Sequence, residues 1–180
     1  MQHLKKSEIG KLVSVYKSQE DAASLRNTAI LQILCAYGFE VQELLSLKIA
    51  DIDIWNYVIT LPPGKYGKRE IPLTKKVRRA IKRWLIARNI LKPRSQTDFI
   101  FINIKAPYKC LSKKGVIWLV TEAGKIALGK KITPKVLRAS FIILALKKGW
   151  PNKQIQTCLD INDQTFEKRQ RILLETLEDL

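Results

Sequence analysis

The chain is poor in the residues from which several kinds of site are built. Its only histidine is His3, so a histidine-based general base, a catalytic triad and a histidine-ligated metal centre are excluded. The cysteines, Cys35, Cys110 and Cys158, are odd in number and far apart, which indicates reduced thiols and not disulfides or metal ligands. No glycine-rich phosphate loop leads from a strand into a helix. We therefore expect no metal and no cofactor.

Long apolar segments are missing as well. No uninterrupted apolar run reaches about 18 residues, the length that suggests a membrane-spanning helix, and the first residues lack the pattern of a secretion signal. At 180 residues the chain can bury a core of its own without a metal or a disulfide. The sequence predicts one domain over residues 1–180 that works inside the cell, without contact to a membrane.

Positive charge dominates the chain, and its distribution is uneven. The formal net charge is +17 at pH 7, from 33 basic and 16 acidic residues. Residues 71–159 contain 21 of the basic residues and only Asp98 and Glu122 as acids, whereas the rest of the chain is slightly acidic. A surface without a partner usually mixes both signs, so segregated positive charge is typical of a protein that binds a polyanion. This distribution favours nucleic acid as the partner.

Residues 38–53 read Gly-Phe-Glu-Val-Gln-Glu-Leu-Leu-Ser-Leu-Lys-Ile-Ala-Asp-Ile-Asp. The stretch resembles the first active-site box of the tyrosine recombinases (phage integrases), which runs Gly-Leu-Arg-Ile-Ser-Glu-Leu-x-x-Leu-x-x-x-Asp-Ile-Asp. In that family the arginine holds the phosphate that is cut, and Glu40 takes its place here. Because opposite charge stabilises the transition state at phosphorus, an anion at this position is expected to repel the phosphate.

Two further segments resemble boxes of the same family. Residues 64–73 resemble its β-hairpin, Gly-Lys-Gly-x-Lys-x-Arg-x-x-Pro-Leu, and Lys65 stands where the family has its general-acid lysine. Residues 132–141 resemble the box Thr-Pro-His-x-Leu-Arg-His-x-Phe. There Arg138 matches the second catalytic arginine, while Lys135 replaces the histidine.

The end of the chain departs further from the family. Residues 155–163 resemble Ile-Gln-x-x-Leu-Gly-His-Ser-Ser, with Ile161 in the place of the histidine. The family's spacing then leads to Gln170 as the position of the nucleophilic tyrosine, and no tyrosine follows Tyr108. Since covalent catalysis needs a nucleophile, the resemblance leads us to expect a chain that is not an enzyme.

The resemblance covers nearly the whole chain and implies a mainly helical α+β fold, like the tyrosine-recombinase catalytic domain, with a small antiparallel sheet. It also leads us to expect no N-terminal core-binding domain. Apolar spacing, caps and turn residues predict the individual elements. Helices are predicted over residues 7–16, 21–37, 42–47, 75–91, 112–128, 133–149, 151–159 and from 163 onward, and strands over 58–61, 70–73 and 99–102.

Cations stand in the first turns of two predicted helices, the one that begins after Ser112 and the one that begins after Thr133. A helix N-terminus disfavours positive charge, so this placement suggests an external anion. For Arg138 an alternative stays open, because Glu40 or Glu43 could neutralise it inside the fold. The residues expected to contact DNA are Lys65, Lys68, Arg69, Lys113, Lys114, Lys135 and Arg138.

The function expected from the sequence is phosphate-mediated binding of duplex DNA by an inactive relative of the tyrosine recombinases, associated with the nucleoid or cytoplasm. One alternative is an interaction protein that pairs with an active recombinase, or with itself, and regulates it. A second alternative is an integration or recombination enzyme with an unrecognised nucleophile. No small-molecule substrate is expected.

Overall fold

The computed structural model describes residues 2–64, 67–91 and 97–178, with side chains up to residue 172. The chain forms mainly helices and one small antiparallel sheet, whose strand order is β1-β2-β3 and in which Ile59 pairs with Ile71. The helices are α1 (Lys6–Ser14), α2 (Ala22–Tyr37), α3 (Val41–Ser46), α4 (Lys75–Ile90), α5 (Lys113–Leu128), α6 (Pro134–Lys147), α7 (Asn152–Leu159) and α8 (Asp163–Glu178). The strands are β1 (Ile52–Asp53), β2 (Val58–Gly64) and β3 (Gly67–Pro72). The mainly helical fold with a small antiparallel sheet is as the sequence predicts.

Helix α2 forms the centre of the domain and packs against α4 and α6. It begins where the Asp21 carboxylate accepts a hydrogen bond from the Ser24 N–H at 3.1 Å, and it ends at Gly38 in the left-handed conformation, with φ of 64°. A Cβ on Gly38 would lie 2.8 Å from the Phe141 ring, so glycine is required by space as well as by conformation. This turn delivers the chain directly to Glu40 at the start of α3.

The starts of α5 and α6 are fixed by side-chain caps. The Ser112 hydroxyl accepts a hydrogen bond from the Gly115 N–H at 3.0 Å, and the Thr133 hydroxyl accepts one from the Val136 N–H at 3.4 Å. Pro134 occupies the first turn of α6, where its missing N–H has no helical partner to lose. Both helix starts were predicted from these residues and are confirmed.

The predicted strand over residues 99–102 is wrong. This segment forms only one isolated bridge at each end and adds no strand to the sheet. Side chains of α4 take up two of its carbonyl groups instead: the Trp84 indole N–H donates to the Ile100 oxygen, and the Arg88 Nε donates to the Phe99 oxygen, each at 3.0 Å. The apolar run is therefore a buried extended connection, which its composition alone does not distinguish from a strand.

Large aromatic side chains fill the interior between the helices, and Trp84, Phe101 and Phe166 are each fully buried. Phe166 brings the first turns of α8 onto the rest of the core, next to α6. Within the described part of the chain, none of the helices combines the length and the apolar composition that crossing a membrane requires.

Candidate nucleic-acid interface

Arg69, on β3, lies inside the protein with 6% of its surface exposed. Its guanidinium forms an ion pair with Glu43, lies 3.6 Å from an oxygen of Asp160, and donates to the carbonyl oxygens of Thr157 and Cys158 at 3.3 Å each. These contacts join β3 to α3 and to the end of α7. Although the sequence suggested Arg69 as a DNA contact, its charge is directed into the protein, and we do not include it in the interface.

Arg138, one turn into α6, is also largely buried. Its two terminal nitrogens donate to the carbonyl oxygens of Gly38 and Leu159, at 2.6 Å each. Carboxylate oxygens of Glu40 and Glu43 lie farther away, at 3.6 and 3.9 Å. Burial lowers the pKa of Arg138, and the two carboxylates oppose that shift. Glu40 and Glu43 thus both lie near Arg138, as the sequence suggested. The shortest hydrogen bonds of Arg138, however, go to backbone carbonyl oxygens.

Glu40 approaches Arg138 from the solvent side. It is the N-cap of α3, where its own N–H donates to Glu43 at 2.7 Å, and its side chain is 60% exposed. An exposed carboxylate keeps most of its hydration, so its attraction to Arg138 is weak in comparison with that of a buried partner. An anion that reaches Arg138 from outside therefore competes mainly with Glu40.

A cavity of about 660 Å³ opens beside Arg138, between the starts of α3, α5 and α6 and one face of α8. Its apolar lining includes Phe39, Ile117 and Ile142. Four cations also line it, together with the Glu40 carboxylate. They are Lys113, Lys135, Arg138 and Arg169. Three of these were predicted as DNA contacts, and the structure brings them together although they come from two different helices.

The remaining predicted contacts are less fully described. Lys114 is exposed next to Lys113 in the first turn of α5. Lys68 is 60% exposed on β3, and its nitrogen lies 3.5 Å from a carboxylate oxygen of Glu70. Lys65 lies outside the described residues, and we therefore do not include it in the interface.

Helix α8 contributes residues that the sequence reasoning missed. Arg169 and Ile172 line the cavity, three and six positions after the buried Phe166. Helical spacing from Phe166 would have indicated that Arg169, one turn later, faces the domain. Gln170, at the position of the family's nucleophile, is partly buried on the same helix, and Ile161 packs partly against the core.

The site offers cations and no arrangement for a metal. Among the described residues, no group of His, Cys, Asp or Glu side chains is placed to bind a metal ion. Arg138 retains one buried nitrogen, Nε, without a hydrogen-bond partner in that part of the chain. The chemistry within reach of the cavity is therefore electrostatic attraction and hydrogen-bond donation to an anion.

Comparison with known proteins agrees with this fold. Residues 2–166 match the model of the phage integrase family. The chain belongs to this family. The tyrosine recombinase XerA of Pyrococcus horikoshii is 34% identical over 158 residues, which cover 87% of this chain and 51% of that protein. The chain spans about half the length of the curated relatives it matches.

Solved structures of the family superpose on most of the chain. A crystal structure of XerA recombinase matches with a TM-score of 0.81 at 25% identity, over 94% of this chain and 59% of that one. A structure of the XerH site-specific recombinase bound to its difH substrate matches with a TM-score of 0.78 at 24% identity, over 99% of this chain and 52% of that one. The tyrosine-recombinase fold expected from the sequence is confirmed.

The prediction that the chain is not an enzyme is contradicted. The relatives that it matches are named tyrosine recombinases, which are enzymes of the phage integrase family. The prediction rested on Glu40, Lys135, Ile161 and Gln170 at four active-site positions. Such departures identify which groups differ from the family's pattern, but they do not establish that the reaction is lost, because another group can take over a role.

Proposed function

We propose that this chain binds duplex DNA through its phosphates and serves in DNA recombination as a member of the phage integrase family. Membership of the family supports this proposal, as does a relative of the same fold, XerH, that was solved bound to its difH substrate. The observation that carries it is the convergence of Lys113, Lys135 and Arg138 on one cavity, with Lys114 exposed beside them.

Helix geometry explains why this cavity attracts an anion. The first turns of α5 and α6 each leave backbone N–H groups without helical acceptors, and the Ser112 and Thr133 caps accept only one of them each. The positive ends of two helix dipoles therefore add to the side-chain charges. Neither helix has an acidic residue in its first turn to offset them. A phosphate in this position is stabilised by both helices.

The chemistry of the cations indicates what is recognised. A lysine ammonium is a mobile point charge that meets phosphate oxygens in many orientations, whereas base recognition needs fixed donors and acceptors on groove edges. Binding through Lys113, Lys114 and Lys135 is therefore expected to depend strongly on salt and only weakly on sequence.

Two double variants test this assignment. Lys113→Ala with Lys114→Ala is expected to weaken binding of a fluorescent duplex by roughly tenfold or more at low salt, because two phosphate contacts are lost. Lys147→Ala with Lys148→Ala removes the same charge at the other end of α6, roughly 20 Å from Lys135 along the helix. This control should bind nearly as the wild type does. Equal losses would show that the net charge matters and not the cavity.

A further inference from the structure

The turn between β1 and β2 presents two exposed aromatic side chains. Trp55 is 89% exposed and Tyr57 is 49% exposed. Neither residue belongs to the active-site boxes, and neither lines the cavity described above. A tryptophan with almost its whole surface in water is unusual, because the large apolar indole gains from burial. The proposed duplex contact therefore does not explain why this turn exposes two aromatic side chains.

The turn is held in one shape by Asp53. One carboxylate oxygen of Asp53 accepts hydrogen bonds from the N–H groups of Trp55 and Asn56, at 2.9 and 2.8 Å. The other accepts a bond from the Asn56 side-chain amide at 2.7 Å. These bonds hold the backbone of residues 53–56 in one conformation, so the exposed indole projects from an ordered turn.

Tyr57 connects this turn to α4. Its φ of 60° lies in the left-handed region, which residues other than glycine seldom adopt. Its carbonyl oxygen accepts a hydrogen bond from the Leu73 N–H, and the Arg78 guanidinium lies 4.2 Å from the centre of its ring. The cation–π contact places Tyr57 directly beside the first turns of α4, and Trp55 stands two residues before it on the same turn.

The first turns of α4 carry a dense positive charge. Lys75, Lys76, Arg79 and Lys82 are exposed, and the first turn has no acidic residue. Across the residues that the structure describes, none of these four cations forms an ion pair with a carboxylate. Such a concentration of charge, adjacent to an open aromatic face, is complementary to a polyanion that carries flat rings.

We propose that Trp55 and the basic start of α4 form a second nucleic-acid site, which binds a single strand with one base stacked on the indole. Stacking requires a base that has left the duplex, because the faces of paired bases are covered by their neighbours. The phosphates on either side of that base would then lie against Lys75 and Arg79. A protein partner with an acidic surface is the competing occupant, but the density of unpaired cations favours a phosphate backbone.

This site is separate from the proposed duplex contact. Strand β2 runs seven residues from the Tyr57 end to the hairpin end, roughly 20 Å in extended conformation. Lys68 lies near the hairpin end, and the aromatic turn lies at the opposite end of the sheet. Neither the aromatic residues of the turn nor the exposed cations of α4 line the cavity of the proposed duplex contact, so the two sites can be tested independently.

The test is binding of a labelled oligothymidine of about 12 nucleotides, measured by fluorescence anisotropy. Trp55→Ala is expected to weaken binding by about fivefold or more, the effect of losing one stacked base. Trp118→Ala is the matched control, since Trp118 is also exposed, at 64%, but lies on α5. It should bind the oligonucleotide as the wild type does. Trp55 makes little packing contact, so the melting temperature should not change.

The outcomes separate this proposal from the duplex proposal. Loss of oligothymidine binding in Trp55→Ala, with duplex binding retained, supports the second site. If the wild type does not bind oligothymidine, or if Trp55→Ala and Trp118→Ala lose equal affinity, the proposal is overturned, and an acidic protein becomes the better occupant of the turn. Failure of the wild type to bind duplex DNA would instead remove the proposed function and leave this result standing.

Discussion

Lys68 and Arg69 are neighbours on β3 with opposite environments, and both were predicted to contact DNA. Strand geometry explains the difference, because successive side chains point to opposite faces of the sheet. Ile71 is buried, so Arg69, two residues earlier, points to the same inner face, whereas Lys68 points to solvent. The sequence contained this signal, since the apolar Ile71 marks the inner face. The resemblance, which assigned roles by position, did not use it.

The two residues are expected to differ in their effect on stability. Arg69→Met should lower the free energy of unfolding by about 3–5 kcal/mol, because the carboxylate of Glu43 loses its buried cation. Lys68→Ala should change it by less than about 0.5 kcal/mol, because Lys68 is 60% exposed. Unfolding in urea, followed by circular dichroism, measures both. Similar values for the two variants would contradict the buried assignment of Arg69.

Glu40 is the residue whose charge opposes the proposed phosphate contact. Glu40→Gln removes an anion 3.6 Å from Arg138 and should tighten duplex binding by about threefold or more at low salt. Glu20→Gln is the matched control: it also raises the net charge by one, but Glu20 pairs with Arg83 on α4. Fluorescence-anisotropy titrations of a labelled duplex with each variant measure the change in affinity. Tightening by the same factor in both would mean that Glu40 has no special position.

At the scale of the elements, local signals predicted the helices well. Ser112, Thr133 and Gly38 act through hydrogen bonds or backbone conformation within a few residues, so one sequence suffices to locate these helix ends. Residues 99–102 could not be predicted in this way, because their carbonyl groups accept hydrogen bonds from distant side chains, among them Trp84 and Arg88 on α4 and Arg26 on α2. Hydrogen-bond partners that are distant along the chain leave no pattern in the neighbouring sequence.

Two helical glycines allow a test of the packing around α5. Gly124→Ala would place a Cβ 2.6 Å from Ile132 and 2.9 Å from the Lys130 carbonyl oxygen, so it should destabilise the protein by about 1–3 kcal/mol. Gly10→Ala in α1 meets nothing within 4 Å and should stabilise it by about 0.5–1 kcal/mol. Thermal unfolding gives the sign of each change. A stabilising Gly124→Ala would show that the turn after α5 is looser than described.

At the scale of the whole molecule, the proposed interface is assembled from parts that are far apart in the sequence. Lys113 comes from α5, Arg138 from α6 and Arg169 from α8, and only folding brings them to one cavity. Charge counting along the chain indicated a polyanion partner, and the resemblance indicated which segments meet. Neither revealed Arg169, nor that Arg69 is enclosed, because both facts depend on side-chain direction.

Duplex DNA is proposed to bind this protein through its phosphates. The most direct test is the affinity of the wild type for a duplex over a range of salt concentrations. If about four to six phosphates are contacted, the logarithm of the affinity should fall with the logarithm of the salt concentration at a slope of roughly −4 to −5. Lys113→Ala with Lys114→Ala should flatten this slope by about one to two, for all DNA sequences alike. A slope near zero for the wild type would show that the duplex is not bound through its phosphates.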